Sequence, residues 1–240
     1  MLGSGLHHLG DFTQLMPTRD ETTKSQHVFT IAVEGNIGCG KTTFLEHFKQ
    51  NPKVEVLPEP VDKWKSVRGY NSLDLMYRDA ARWSFAFQSY VTLTMMEHHE
   101  TSKESPKVKM LERSIYSARH CFIENLHQGG LIPDIDYTIL NEMHNWLHQN
   151  PTTNIDLIVY LRASPQNCFD RIHKRNRDEE KDVPMEYLKS LHKLHEDWLI
   201  EKKRGELPAP LLVIDADLDL VDLKAKISQM ESKILSGNLS

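Results

Sequence analysis

Residues 34–43 read EGNIGCGKTT and follow directly on the apolar stretch VFTIAV. Gly35, Gly40, Lys41 and Thr42 satisfy the spacing G-x-x-x-x-G-K-[ST]. Such a loop turns backbone N–H groups onto phosphate oxygens, and the helix expected from about Lys41 adds the positive end of its dipole. The run Gly35, Asn36, Ile37, Gly38, Cys39, Gly40, Lys41, Thr42 and Thr43 is therefore expected to cradle a nucleoside triphosphate such as ATP. Lys41 would reach the terminal phosphates and the Thr42 hydroxyl would be a ligand for Mg²⁺.

What receives the phosphate must come from elsewhere in the chain. Glu59 closes an apolar run in VLPEP, and Glu112 closes another in KMLERS with Arg113 beside it. Ligands of open parallel sheets bind beyond the carboxyl ends of the strands, so both acids should face the cradle. A carboxylate there can hold magnesium or take the proton of an attacking hydroxyl, whereas two acids that merely stop strands at the surface would do neither. Gln88, Val91 and Met95 fall at i, i+3 and i+7 of a helical pattern, with Phe87 beside them. Ala118 and Phe122 lie four apart in the next helix. The spacing suits either ordinary core packing or a slot for a flat heterocycle whose edge the Gln88 amide reads. RIHKRNRDEEKDVP, residues 171–184, sets Arg171, Arg175 and Arg177 before a charged loop closed by Pro184. It reads as a solvated charge run or as a lid whose arginines stabilise a transferring phosphoryl group.

The elements that must position these groups alternate along the chain. Short apolar runs at 28–34, 54–59, 108–112, 155–161 and 211–215 read as strands buried on both faces. Helical patterns fill 41–50, 73–100, 115–128, 135–149, 165–175, 184–202 and 219–234. Alternation of this kind predicts an α/β fold with a parallel sheet between helices. The expected organisation is one domain over 28–234, with a lid at about 171–184, a flexible tail over 1–27 and a short tail over 235–240.

A net charge of −5 with mixed signs gives no electrostatic footprint for nucleic acid or an anionic membrane. No apolar run reaches the roughly 20 residues of a spanning helix. Cys39, Cys121 and Cys168 are too scattered for a zinc site or a disulfide framework and read as reduced thiols. His144 and His148, one helical turn apart, read as an exposed helix face instead of a metal pair. The first 27 residues carry Arg19 and Lys24 against Asp11, Asp20 and Glu21, unlike an Arg-rich, acid-poor transit peptide. A cytoplasmic location is expected, with a mitochondrial one as the alternative. No N-K-x-D motif of a GTPase is present. LLVIDAD mimics the acidic strand end of a motor ATPase, leaving Asp215 as either a loop entry near the nucleotide base or a plain strand end.

EGNIGCGKTT, EPVDKW, LMYRDAARW, FQSYVTLTM, ERSIYSARHCFIENL, DLIVYLR and the lid segment together resemble the deoxyribonucleoside kinases, in order from about Val28 to Asp217. The likeness is strongest to the branch that holds mitochondrial thymidine kinase and the insect multisubstrate enzyme. The resemblance implies a P-loop kinase fold with five parallel strands, helices on both faces and an Arg-rich lid. It also implies a homodimer and feedback inhibition by a deoxynucleoside triphosphate. By position, Glu59 matches the general base for the nucleoside 5′-hydroxyl and Arg113 the arginine that steadies it. Thr42 and Glu112 match the magnesium positions, Lys41 the phosphate lysine, and Arg171, Arg175 and Arg177 the lid arginines. Gln88 matches the base reader, Trp64 and Phe122 the enclosing aromatics, and Met76 and Phe87 lie in the same substrate-binding segments. Tyr77 and Glu180 match the pair on the sugar 3′-hydroxyl. Val91, Met95 and Ala118 match the pyrimidine-tolerant branch, so deoxythymidine and deoxycytidine are expected ahead of purines. Cys39 departs from the serine or alanine common at its place and is a candidate for oxidation. A nucleoside-monophosphate kinase and a nucleotide-gated ATPase are the alternatives.

Overall fold

The computed structural model describes residues 27–100, 107–177, 180 and 183–239. Of the segment read as an N-terminal tail, only His27 falls within that range; its ring meets Asp156 at 2.9 Å. Strands β1 (Phe29–Glu34), β2 (Val54–Leu57), β3 (Val108–Glu112), β4 (Leu157–Arg162) and β5 (Leu211–Asp215) form one sheet in the order β2-β3-β1-β4-β5. All four pairings are parallel. A parallel neighbour can be reached only by a crossover, which is why helices separate the strands and end up covering both faces.

The pleat sorts the central strands into two cores. Ile31 and Val33 of β1, with Leu157, Val159 and Leu161 of β4, pack on one side with Phe44, Leu45 and Phe48 of α1 (Lys41–Phe48). Ala32, Ile158 and Tyr160 face the other side, with Leu191 and Leu194 of α9 (Met185–His195). Strands with both faces buried favour apolar residues, hence the apolar runs in the sequence, although Glu34, Glu55 and Lys109 are buried polar exceptions. The first core is closed by α8 (Pro165–Arg175) and α10 (Leu220–Ser236).

Several expected boundaries moved. The single helix expected over 73–100 is α3 (Ser72–Arg78) and α4 (Ala80–Glu100), broken at Asp79. The Asp79 carboxylate accepts from the Arg82 N–H at 3.2 Å, the local bond by which Asp favours a helix start over a helix interior. The helix expected over 115–128 is α5 (Ile115–Ser117), a π-helical turn over Ala118–Ile123 and α6 (Glu124–Gln128). A second π-helical turn, Glu196–Ile200, ends the helix begun by α9. On α7 (Asp134–His148), His148 is exposed but His144 is buried against α4, 3.3 Å from the Thr92 hydroxyl; the expected exposed pair is thus corrected. A histidine on the inner stripe of an amphipathic helix has no sequence mark that separates it from one on the outer stripe. Among the described residues no helix is long and apolar enough to cross a membrane.

His99, His144 and His195 are enclosed and His120 is partly so. Burial pulls His120, His144 and His195 down to about 3 and His99 to about 4, with Arg119 beside the first two and Lys109 beside His99 adding to it. Their folded-state values lie below the ordinary 6.5, so between those limits the unfolded chain binds protons that the folded chain refuses. Stability from these groups is complete above pH 6.5 and lost as the pH falls, by about 1.4 kcal/mol per pH unit for each histidine. The urea midpoint should therefore drop steadily from pH 7 to pH 5, and His144→Gln should flatten the slope; a flat midpoint across that range would contradict the burial of these rings.

Candidate active site

β3 lies between β1 and β2, so the three segments that leave their carboxyl ends emerge side by side. The glycine loop follows β1, Glu112 and Arg113 close β3, and Glu59 follows β2. Glu59 does not end its strand as expected. β2 stops at Leu57, and the acid stands in the loop between Pro58 and Pro60, because proline has no N–H for a strand ladder. Asp215 is an exposed strand end that accepts from the Asp217 N–H at 2.9 Å and does not reach the site.

All the candidate residues except Gly35, Asn36 and Cys39 line one cavity of ≈ 690 Å³. Those three build the cradle from behind. A Cβ on Gly35 (φ 144°) would stand 2.6 Å from Cys39 Sγ and 2.7 Å from the Leu161 carbonyl oxygen. One on Gly38 (φ 79°) would stand 2.6 Å from the Cys168 carbonyl oxygen. The loop is therefore pressed against the β4–α8 segment closely enough to exclude any side chain at either position. Asn36 donates to the Leu188 carbonyl at 2.9 Å and accepts from the Ile37 N–H at 2.8 Å, tying the loop to α9. Cys39, the candidate for oxidation, is fully buried. Gly40, in a left-handed conformation, opens α1 without a capping side chain, which leaves the first-turn N–H groups for an anion. Lys41 is buried with its ammonium donating to the Asn36 and Gly35 carbonyls at 2.9 and 3.2 Å.

Opposite the cradle stands an ion pair. Arg113 Nη1 donates to both Glu59 oxygens, at 2.9 and 3.2 Å, and Nη2 to the Gly35 carbonyl at 3.3 Å. The guanidinium also lies over the Phe122 ring, 4.5 Å from its centroid. Burial opposes its charge, but the Glu59 carboxylate outweighs that and holds the Arg113 pKa above its ordinary value. Glu112 accepts from the Thr42 hydroxyl at 3.3 Å and from the Glu59 N–H at 3.4 Å, joining the cradle to the loop that carries Glu59. Two hard oxygens from Thr42 and Glu112 suit Mg²⁺. Among the described residues no group of three His, Cys, Asp or Glu could hold a metal ion.

Beyond Glu59 the cavity narrows into an apolar slot. Trp64, from α2 (Val61–Lys65), meets Phe87 edge-on with centroids 5.8 Å apart and donates to the Thr94 hydroxyl at 2.8 Å. Val91, Met95 and Ala118 complete the wall with Phe122. Gln88 is buried, and its Oε1 has no hydrogen-bond partner among the described residues. The break at Asp79 lets α3 contribute Met76 and Tyr77 to the same wall. The segment expected as a lid from about residue 171 is still helical as far as Arg175. Arg171 lies within α8, and its guanidinium donates to the Ala216, Leu218 and Cys39 carbonyls at 2.8, 2.9 and 3.3 Å, bracing the cradle against the β5–α10 segment. Arg175, the last residue of α8, and Arg177 both pair with Glu180. Sequence reasoning missed Tyr187, Lys174, Asp219 and Leu220 on the cavity wall and Glu34 behind it. Only Glu34, a charged residue closing an apolar strand, carried a signal.

A buried ion pair that loses one partner costs about 3–5 kcal/mol, because a charge is left uncompensated. Arg113→Met should therefore destabilise the chain by about 3 kcal/mol, and Glu59→Gln in the same background should restore part of the loss. Urea denaturation of the two single variants and the double variant reads the coupling; strictly additive losses would mean that the pair contributes nothing.

Residues 31–236 match the family model described as deoxynucleoside kinase. Over 217 residues, 90% of this chain and 82% of the relative, the sequence is 46% identical to human mitochondrial thymidine kinase 2. It is 35% identical to rat deoxycytidine kinase over 90% of this chain and 94% of that protein. It is 37% identical to a probable deoxycytidine kinase of fowlpox virus over 86% and 85%. A cradle and a held carboxylate on one cavity, together with similarity along nearly the whole chain, place this protein in the deoxynucleoside kinase family.

Proposed function

We propose that the chain transfers the γ-phosphate of Mg·ATP to the 5′-hydroxyl of deoxyribonucleosides, with deoxythymidine and deoxycytidine ahead of purines. The observation that carries this reading is the Glu59 carboxylate, fixed by Arg113 on the same cavity as the Lys41 loop and at the mouth of a flat apolar slot. The base lies between Phe122 and the Trp64–Phe87 pair and meets the Gln88 amide. Met95 and Ala118 leave room for a 5-methyl group and offer no charge to a purine edge. Tyr77 and Glu180 face the sugar 3′-hydroxyl from the cavity wall. Glu59 then accepts the 5′-hydroxyl proton while Arg113 orients its carboxylate. Lys41, Arg175 and Arg177 stabilise the charge that spreads over the transferring group, and Arg171 holds the loop beneath it. Thr42 and Glu112 would hold Mg²⁺, which would supply positive charge to offset that of the phosphates.

A monophosphate acceptor would need an uncommitted cation at the slot end, but Arg113 is already matched by Glu59. Slot and cradle are continuous, a shape that suits feedback inhibition by a deoxynucleoside triphosphate spanning both. Ile135, Ile139 and Trp146 share one exposed stripe of α7, which supports a homodimer. The name of the human relative favours the mitochondrial compartment over the cytoplasmic one.

Removing a general base costs about 10²–10⁴-fold in rate. Glu59→Gln should lower kcat for deoxythymidine by that factor while deoxythymidine still binds, as read by titration calorimetry. Near-normal turnover would take the role away from Glu59. In competition assays of the wild-type protein, deoxythymidine and deoxycytidine should be consumed before deoxyguanosine; the reverse order would overturn the reading of the slot.

A further inference from the structure

Glu34 is the last residue of β1, directly before the cradle, and is completely enclosed. Its Oε1 accepts from the Ser114 hydroxyl at 2.5 Å, and its Oε2 has no hydrogen-bond partner among the described residues. An acid in that position is costly unless something depends on it, since burying an unpaired carboxylate disfavours the folded chain. Ser114 directly follows Arg113 and opens α5, accepting from the Tyr116 N–H at 3.2 Å through the same hydroxyl oxygen. Arg113 itself sits in a left-handed backbone conformation (φ 62°), which a non-glycine residue adopts only where its surroundings hold it.

We infer that Glu34 is a positioning residue for phosphoryl transfer: through Ser114 it locks the backbone that carries Arg113, and so sets Glu59 against the Lys41 loop. The bond crosses from the end of β1 to the second residue after β3. It thus joins the root of the phosphate cradle to the root of the arginine that holds the proposed base. Arg113 returns the tie by donating to the carbonyl of Gly35, the residue after Glu34. Burial raises the Glu34 pKa, against the opposing effects of Ser114, Ser117, Arg113 and Lys41. A neutral amide should therefore replace this side chain where a methyl cannot. Of the two oxygens the Glu34 carboxyl offers, the one in use is an acceptor, and the amide oxygen of glutamine keeps it.

The inference rests on the reading of the chain as a deoxynucleoside kinase, and wild-type turnover of deoxythymidine in the same assay tests that reading separately. Misplacing reacting groups by about 1 Å can cost 10²-fold in rate. Glu34→Ala and Ser114→Ala should each lower kcat by about that factor, with the KM for ATP and for deoxythymidine little changed and the fold intact by circular dichroism. The double variant should be no slower than the slower single one, and Glu34→Gln should retain most of the wild-type kcat. Wild-type kcat in folded Glu34→Ala, multiplied losses in the double variant, or a Glu34→Gln as slow as Glu34→Ala would each overturn it. If Glu34→Ala does not fold, Ser114→Ala and Glu34→Gln still decide the matter on the same criteria.

Discussion

Arg113 carries a positive charge almost out of contact with water, and such a charge must be answered from within the protein. Glu59 answers it, together with the Gly35 carbonyl and the face of Phe122. Each of these partners belongs to a different part of the site: the loop after β2, the cradle after β1, and the wall of the slot. The need to compensate one guanidinium therefore draws three separate segments to a common point. The same contact fixes the orientation of the Glu59 carboxyl group.

The sheet makes that convergence possible. In a parallel sheet all strands end on the same side, and the order β2-β3-β1 sets the three relevant ends next to each other. Glycine-rich backbone then presses against the β4–α8 segment, and Arg171 fastens the far side of the loop to three carbonyls. At the rim Arg175 and Arg177 share Glu180. A tightly packed floor with cations above it suits a reaction in which a phosphoryl group must be held in line.

Much of this was legible in the residues. Strands buried on both faces write themselves as apolar runs, and the cradle requires glycines and a lysine at fixed spacing. The placement of Glu59, Glu112 and Arg113 followed from strand ends facing one crevice, although Pro58 and Pro60 carry Glu59 off its strand. Other features left no mark. The π-helical turn that presents Ala118 and Phe122 has the same apolar spacing as an α-helix, so nothing separates the two before packing is known. Asp79 looked like one more charged residue within a long helical pattern, and only its bond to the Arg82 N–H shows it as a boundary. Arg171 looked like a member of a lid, yet helix α8 runs past it and its side chain turns to the backbone of the cradle. His144 was taken for surface because the pattern of α7 does not say which stripe faces α4.

The central claim is that the cavity joins a triphosphate cradle to a nucleoside, with a carboxylate between them. It is tested most directly by following labelled γ-phosphate from Mg·ATP into deoxythymidine and thymidine monophosphate, offered separately to the wild-type protein. The account predicts label on the 5′-oxygen of deoxythymidine and none added to the monophosphate. Label on the monophosphate alone, or release of inorganic phosphate at the same rate whether or not a nucleoside is present, would contradict it.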